Sequence, residues 1–267
     1  MNKLNLLLLT LLLSACATSP TGRKQLILVP DQQMNQMGIA SFQEMKKAQQ
    51  VSDNRRQQDY VRCVSFAIIN ALPDQYRNNN WEVVLFKDDS ANAFALPGGK
   101  IGVHTGLLKV AETQSQLATV LGHEVAHVLS RHGSERVSNV LAVQAGLQVA
   151  DIMSRRHVEG SSERQILMAG LGLGAQVGVL LPFSRTHEKE ADRLGLNLMA
   201  AAGFDPRESV PLWQNMAAAS SGQRPPEFLS THPEPENRII KLKQFMNQAL
   251  ELQQQASASG LNPSCAR

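Results

Sequence analysis

Residues 120–127 read Val-Leu-Gly-His-Glu-Val-Ala-His, and this stretch decides the fold. Residues four apart in an α-helix lie about one turn from each other on the same face. His123 and His127 can therefore bind one Zn²⁺ ion, and Glu124 can act as a base beside it. Residues 114–119 contain neither Gly nor Pro, and apolar residues around the histidines supply one apolar face, which favours a helix. A buried helix with two hydrogen-bonded histidines is the alternative interpretation.

A second acidic pair supplies the candidate for a third ligand. Residues 183–192 read Phe-Ser-Arg-Thr-His-Glu-Lys-Glu-Ala-Asp, so Glu188 and Asp192 share a helix face. A catalytic zinc keeps three protein ligands, and Glu188 can be the third. Asp192 can accept the other ring N–H of a ligand histidine and so fix its tautomer. Glu190 points away from that face, and we expect it to be solvated. The alternative is the charged start of a surface helix.

Three motifs in this order resemble one family of proteins. They are the His-Glu-Val-Ala-His run, the Ser-Arg-x-x-Glu-x-x-Ala-Asp run over residues 184–192, and Thr-His-Pro at residues 231–233. Together they resemble the HtpX and CAAX-prenyl-protease group of gluzincin-type zinc endopeptidases, over roughly residues 60 to 245. The periplasmic lipoprotein members and the mitochondrial Oma-type peptidases are the most similar branch.

The resemblance implies a fold, a cofactor and roles for the motif residues. The fold is a mainly helical α+β zincin, with a small β-sheet or hairpin beside the zinc-binding helix. One Zn²⁺ per chain is held by His123, His127 and Glu188. Glu124 is the catalytic base, and Asp192 supports a ligand histidine from outside.

A β-rich region precedes the zinc motif. Residues 81–86 have the alternation and the composition of a strand, and residues 92–107 predict a hairpin broken at Pro-Gly-Gly. In the resembling family, an edge strand beside the zinc helix pairs with an extended substrate. Asn92 and Ala93 match the Asn-Ala of that strand, so the resemblance implies that they bind substrate. A purely structural hairpin is the alternative.

A peptidase also needs a donor that stabilises the oxyanion. The only tyrosines, Tyr60 and Tyr76, lie upstream of the zinc motif and outside any recognised motif. His232 is therefore our candidate for a catalytic stabiliser, with Arg238 as its orienting and substrate-binding partner. The alternatives are a loop histidine and a surface arginine.

The N-terminus has the pattern of a lipoprotein leader. A short basic segment precedes a leucine-rich run over residues 4–13, which is too short to span a bilayer stably. The run ends in Leu-Ser-Ala-Cys, which resembles a bacterial lipobox and implies cleavage before Cys16 and lipidation of its thiol. Ala17 after the cysteine suggests the outer membrane, facing the periplasm. An ordinary secretory signal cut near Ala15 or Ala17 is the alternative.

The two remaining cysteines are Cys63 and Cys265. An oxidising compartment allows one disulfide between them, which would tie the C-terminal tail to an early helix. Two unpaired thiols are the alternative, because sequence spacing carries no information on distance.

Length and patterning give the predicted domain boundaries. The 267 residues suffice for one core of normal size. We predict a signal peptide over residues 1–15, a lipidated tether over 16–30, a zinc metallopeptidase domain over 31–255 and a C-terminal tail over 256–267. Residues 166–181 form a Gly-spaced apolar run, predicted to be a helix packed on the protein rather than a membrane span.

The balance of charge limits the function classes. Twenty-six basic and 23 acidic residues, without a basic block, argue against a nucleic-acid-binding surface. We predict a lipid-anchored zinc endopeptidase that cleaves misfolded periplasmic or outer-membrane proteins. The alternative is a non-catalytic or latent zinc-bound scaffold or chaperone-like lipoprotein. The intact Glu124 favours the enzyme, because a structural zinc site needs no base.

Overall fold

A computed structural model describes residues 16–157, 183–220, 228, 232 and 235–267. The predicted signal peptide over residues 1–15 and the apolar run over 166–181 therefore lie outside the described residues. The strands are β1 (Cys16–Thr18), β2 (Lys24–Leu26), β3 (Glu82–Phe86), β4 (Ala93–Leu96) and β5 (Lys100–His104). The helices are α1 (Asp31–Ala48), α2 (Arg55–Asn70), α3 (Asp74–Arg77), α4 (Leu107–Val110), α5 (Gln114–Leu129), α6 (His132–His157), α7 (Arg185–Ala201), α8 (Ser209–Ser220) and α9 (Pro235–Ala258), with a 3₁₀ turn at Pro206–Glu208.

The chain divides into two compact units. The first unit comprises Met1–Pro30 and Arg131–Ser184, and the second comprises Asp31–Ser130 and Arg185–Arg267. In the first unit, β1 pairs with β2 in antiparallel register. Glu135 on α6 accepts two hydrogen bonds from Arg23, at 2.8 and 2.7 Å, which holds the segment before β2 on that helix.

The second unit contains a small mixed sheet with strand order β3-β5-β4. β3 runs parallel to β5, and β4 pairs with β5 as an antiparallel hairpin, so β4 forms one edge of the sheet. The turn between β4 and β5 places Gly98 and Gly99 at φ of 84° and 74°, a region that only glycine adopts without strain. The hairpin predicted at Pro-Gly-Gly is therefore present.

Helix α5 carries the zinc motif through the centre of the second unit. Its first turn is capped by Thr113, whose side chain accepts a hydrogen bond from the backbone N–H of Gln116 at 3.1 Å. Almost every side chain of the helix is buried. α5 crosses α7 where Gly122 meets Gly195, and a Cβ atom at Gly122 would lie 2.7 Å from the Gly195 carbonyl oxygen. The two helices thus touch through their backbones, directly beside His123.

The C-terminus is fastened to the start of α5. The structure joins Cys63 on α2 to Cys265 by a disulfide. Gln114 donates to the Pro263 carbonyl and accepts from the Cys265 N–H, both at 2.8 Å. α9 continues to Ala258, slightly beyond the boundary of 255 expected for the domain.

Hydropathy gives one further finding on the helices. In the part of the chain that the structure describes, no helix is both long enough and apolar enough to cross a bilayer.

Candidate metal centre

Two imidazoles from α5 converge in the buried interior of the second unit. His123 and His127 lie on one face of the helix, and their Nε2 atoms are 3.0 Å apart. Their rings meet edge to face, with centroids 4.7 Å apart. Both side chains are at most 4% exposed, as is that of Glu124 between them. As the sequence predicts, the i,i+4 spacing directs one ring nitrogen of each histidine to the same position.

Glu188 on α7 faces this pair. Its Oε1 lies 3.4 Å from His127 Nε2, and its Oε2 lies 3.4 Å from His123 Nε2. The close contact of α5 with α7 brings the carboxylate of one helix to the imidazoles of the other. The structure thus brings together the three side chains predicted as ligands.

His232 joins the same cluster rather than standing beside it. Its Nδ1 lies 2.9 Å from Glu188 Oε1 and 3.3 Å from His123 Nε2. Its Nε2 lies 3.4 Å from Glu124 Oε1. The ring stacks on Phe228, with centroids 4.5 Å apart. The sequence predicts His232 as a stabiliser facing substrate, whereas its Nδ1 here completes a group of four ligand atoms within 4.8 Å of one another.

Asp192 lies one helical turn beyond Glu188 on α7, where the sequence places it. Its Oδ1 is 3.1 Å from His123 Nδ1. When Nε2 binds a metal, the proton of the neutral ring is on Nδ1, which can then donate a hydrogen bond to Asp192. Glu190 differs from the prediction, because its side chain is buried and not solvated. α7 packs against both α5 and α9, so its outward face is covered as well.

Arg238 does not lie at a substrate-binding surface, where the sequence predicts it. We expect from the sequence that it contacts substrate, but the side chain is only 1% exposed and lies behind the ligands. Its Nε is 3.1 Å from both carboxylate oxygens of Asp192, and its Nη1 is 2.9 Å from Glu188 Oε2. Packing of α9 against α7 covers the guanidinium, which leaves no surface for a substrate.

Asn92 and Ala93 lie at the start of the edge strand β4, which packs against α5. The Asn92 carbonyl accepts a hydrogen bond from His104 N–H at 3.0 Å. The Ala93 side chain is 2% exposed, so only its backbone could meet a ligand.

Burial and close charges shift the ionisation of the cluster in opposite directions. Burial raises the pKa of Glu124 above its ordinary value, although nearby histidines act against the shift. Burial would also raise the pKa of Glu188, but hydrogen bonds from three imidazoles outweigh it and lower the pKa. For Asp192, burial is likewise outweighed, by the charge of Arg238 and by His123, and its pKa is lowered. Burial lowers the pKa of His127 well below its usual value, which favours the neutral imidazole that a metal requires.

The donor set fits a metal cation. In the neutral form that binds a metal, an imidazole nitrogen is an acceptor, as a carboxylate oxygen is, and here four such atoms lie within 4.8 Å of one another. This buried arrangement requires a positive charge, and without a metal a proton supplies it: burial and Arg238 would lower the pKa of His123, but Asp192 and Glu188 outweigh them and raise it to about 9. The Oε1 atom of Glu124 is also buried, without a hydrogen-bond partner among the described residues. His123, His127, Glu188 and His232 could therefore hold one metal ion.

Three contributors to the site carry no signal that we detected in the sequence. Phe228 stacks on His232, and Trp213 lies under Arg238 with its ring centroid 4.0 Å from the guanidinium carbon. The Gly122–Gly195 contact sets the approach of the helices. Of these, only Gly122 adjoins a recognised motif.

Comparison with known proteins gives one matching family model and several similar proteins. The model described as Peptidase family M48 matches residues 54–246. The mitochondrial metalloendopeptidase OMA1 of Schizosaccharomyces pombe is 38% identical over 63% of this chain and 48% of its own length. The metalloendopeptidase OMA1 of Bos taurus is 30% identical over 91% of this chain and 48% of its own length. The beta-barrel assembly-enhancing protease of Escherichia coli K12 is 31% identical over 65% of this chain and 36% of its own length.

These similarities confirm the predicted resemblance, and with it the metallopeptidase class at the level of the family. The chain spans about half the length or less of the curated relatives named above. The predicted location is wrong: relatives that match over most of the chain are mitochondrial proteins by name, which contradicts an assignment to the outer membrane facing the periplasm.

Proposed function

Because the chain belongs to peptidase family M48, we propose that it is a zinc-dependent endopeptidase. One observation carries the proposal. The ligand atoms of His123, His127 and Glu188 converge on one point, with the carboxylate of Glu124 buried beside them.

The separations of the ligand atoms suit zinc. Atoms that lie 2.0–2.1 Å from a tetrahedral Zn²⁺ are about 3.3 Å from one another. His127 Nε2 lies 3.0 Å from His123 Nε2 and 3.4 Å from Glu188 Oε1, while His123 Nε2 lies 3.4 Å from the other carboxylate oxygen, Oε2. When bound, Zn²⁺ supplies Lewis-acid polarisation of a carbonyl and lowers the pKa of water toward neutrality.

The residues around the metal position have separate catalytic and binding roles. Burial strengthens Glu124 as a base, so its carboxylate can take a proton from the attacking water and deliver it to the leaving amine. Asp192 Oδ1 lies 3.1 Å from His123 Nδ1 and can hold the ring by accepting from Nδ1 when Nε2 binds the metal. β4 offers backbone groups at the edge of the sheet, where an extended peptide can pair from Asn92 onward.

Unfolded or misfolded proteins are the proposed substrate class. Pairing along a strand edge engages backbone groups, which every peptide carries, rather than particular side chains. A folded protein rarely presents a free extended segment, whereas an unfolded one presents many.

The test is a digest of unfolded casein with the purified chain. We expect cleavage that a zinc chelator abolishes and that added Zn²⁺ restores, with about one zinc per chain by metal analysis. Cleavage that persists at full rate after verified removal of the metal would overturn the proposal.

A latent state is the second candidate, and one observation favours it. His232 Nδ1 stands at the fourth corner of the ligand group, where a catalytic zinc keeps a position for water. Phe228, which stacks on His232, donates its N–H to the Ala91 carbonyl at 3.3 Å, next to the start of β4. The described conformation would therefore hold zinc with its open position filled.

His232→Ala separates the two roles of this histidine. If His232 fills the open position, the variant retains zinc and cleaves casein faster than the wild type. If His232 is the oxyanion stabiliser predicted from the sequence, cleavage falls at unchanged zinc content.

Membrane attachment through lipid on Cys16 stays a prediction. Cys16 begins β1, which pairs with β2. Mass spectrometry of the chain isolated from its own cells should show acyl groups on Cys16, and Cys16→Ser should abolish them. An unmodified Cys16 in the mature chain would overturn this prediction.

A further inference from the structure

We propose that Arg238 is a positioning residue of the metal centre, which bridges Glu188 and Asp192 and thereby sets the place of both beside His123. The inference rests on the proposed zinc site and assigns a role to a residue outside the group of ligand atoms. Arg238 is the largest of the fully buried side chains in the described part of the chain.

One guanidinium spans two carboxylates that are a helical turn apart. Its Nε lies 3.1 Å from Asp192 Oδ1 and Oδ2, and its Nη2 donates to Asp192 Oδ1. Its Nη1 lies 2.9 Å from Glu188 Oε2. All three nitrogens thus contact carboxylates of α7, Nη1 as an ion pair without hydrogen-bond geometry. The planar fork of arginine suits this double contact, which a lysine ammonium cannot reproduce.

Both carboxylates affect the metal position: Glu188 is itself a proposed ligand, and Asp192 contacts the ligand His123. Asp192 Oδ1 lies 3.1 Å from Nδ1 of His123 and Arg238 Nη2 lies 2.9 Å from the same nitrogen, so a shift of either group would turn the His123 ring. With Glu188 Oε2 against Arg238, Oε1 is left toward His127 and His232. Arg238 therefore acts on His123 both directly, since its Nη2 lies 2.9 Å from Nδ1, and through Asp192, and it acts on Glu188 by contact.

The arginine is itself held in place from its other side. The Trp213 ring on α8 lies under the guanidinium, with its centroid 4.0 Å from the central carbon, and the Trp213 side chain is 2% exposed. A buried cation on an aromatic face gains attraction and loses freedom. Supporting groups of this rigidity hold ligands within a small distance of the productive geometry.

The balance of charge is a second reason for an arginine at position 238. Three carboxylates, of Glu124, Glu188 and Asp192, are buried within the same cluster. A zinc dication and the Arg238 guanidinium together balance three negative charges. Loss of the guanidinium would leave a buried carboxylate without its counter-charge, and such a group tends to move or to bind a proton.

The test measures metal binding in the full chain carrying Arg238→Met or Arg238→Lys. Zinc affinity is determined by competition with a chelator, and the visible absorption of bound Co²⁺ reports ligand geometry. We expect Arg238→Met to bind zinc about 10–100-fold more weakly, the usual cost of losing a supporting partner, with a changed Co²⁺ spectrum. Arg238→Lys should restore only part of the affinity, because it keeps the charge and loses the fork.

Two further variants complete the design. Arg207→Met removes an exposed arginine that also contacts one aspartate, Asp205, through two nitrogens, and should leave zinc binding unchanged. The double variant Arg238→Met with Asp192→Asn should lose less affinity than the two single losses combined, because the pair acts as a unit.

The outcomes distinguish this inference from the proposed function. Wild-type zinc affinity and an unchanged Co²⁺ spectrum in folded Arg238→Met would overturn the positioning role. If that variant does not fold, the same result in folded Arg238→Lys overturns the bridging geometry. A wild-type chain that binds no zinc would overturn the proposed function, and the inference with it.

Discussion

The metal centre is built from two regions that are held in different ways. His123, His127 and Glu188 belong to α5 and α7, which touch through backbone at Gly122 and Gly195. His232 lies outside the helices whose bounds the structure describes, with its ring stacked on Phe228 and its N–H donating to the Phe228 carbonyl at 2.9 Å. A ligand on a packed helix moves only with the helix, which suits permanent binding of a metal. We expect the helix-held ligands to govern metal retention and His232 to be the ligand that exchanges.

The largest expected effect is on the rate of cleavage, without any effect on metal binding, and it concerns Glu124 on α5. Glu124→Gln keeps the shape of the side chain but cannot accept a proton, so casein cleavage should fall by about 10²–10⁴-fold. Zinc content should stay at the wild-type level, since Glu124 is not one of the grouped ligands. The exposed Glu112 offers a matched control, Glu112→Gln, which should remain fully active. Cleavage near the wild-type rate in Glu124→Gln would remove its role as the base.

The next prediction sets the two regions against each other through zinc retention. Glu188→Ala removes a helix-held ligand and should weaken zinc binding by more than the roughly 10–100-fold that supporting residues contribute. His232→Ala should weaken it much less, because three ligands remain. Glu251→Ala, an exposed carboxylate on α9, is the control for charge. Equal losses in the Glu188 and His232 variants would abolish the distinction between the two regions.

The smallest effect tests whether the helix contact itself sets the ligand distances. A Cβ atom at Gly195 would lie 2.7 Å from the backbone nitrogen of His123, so Gly195→Ala must push α7 away from α5. We expect about tenfold weaker zinc binding and a loss of about 1–3 kcal/mol in stability, measured by chelator competition and by urea unfolding. Gly146→Ala on α6 meets no atom within 4 Å and should not destabilise. An unaffected Gly195→Ala would show that the ligands adjust independently of the crossing.

The same division explains how far the sequence predicts the structure. Alternation and composition place β3 within about one residue of its observed bounds. Each i,i+4 pair can also be predicted from the sequence, because the helix alone sets the spacing of two side chains on one face. The predicted α+β zincin-type fold follows from such local patterns and from the resemblance, and it is confirmed.

What the sequence does not predict depends on packing between distant elements. Arg238 meets Asp192, 46 positions earlier in the chain, only because α9 lies on α7. The burial of Glu190 has the same origin, since nothing in its own helix indicates that the outer face is covered. His232 was recognisable as a site residue from its motif, but its ring nitrogen at the fourth corner depends on how residue 228 stacks.

The disulfide between Cys63 and Cys265 closes a covalent ring around the catalytic machinery. The two cysteines are 202 positions apart, and α5, α7 and every proposed ligand lie between them. By the chain-entropy estimate, a ring of this size stabilises the folded state by about 5 kcal/mol. It has a second consequence for a protease that meets other proteases, or further copies of itself. A single cut at any peptide bond inside the ring opens the circle but releases no fragment, so a nicked molecule keeps all its ligands on one covalent body.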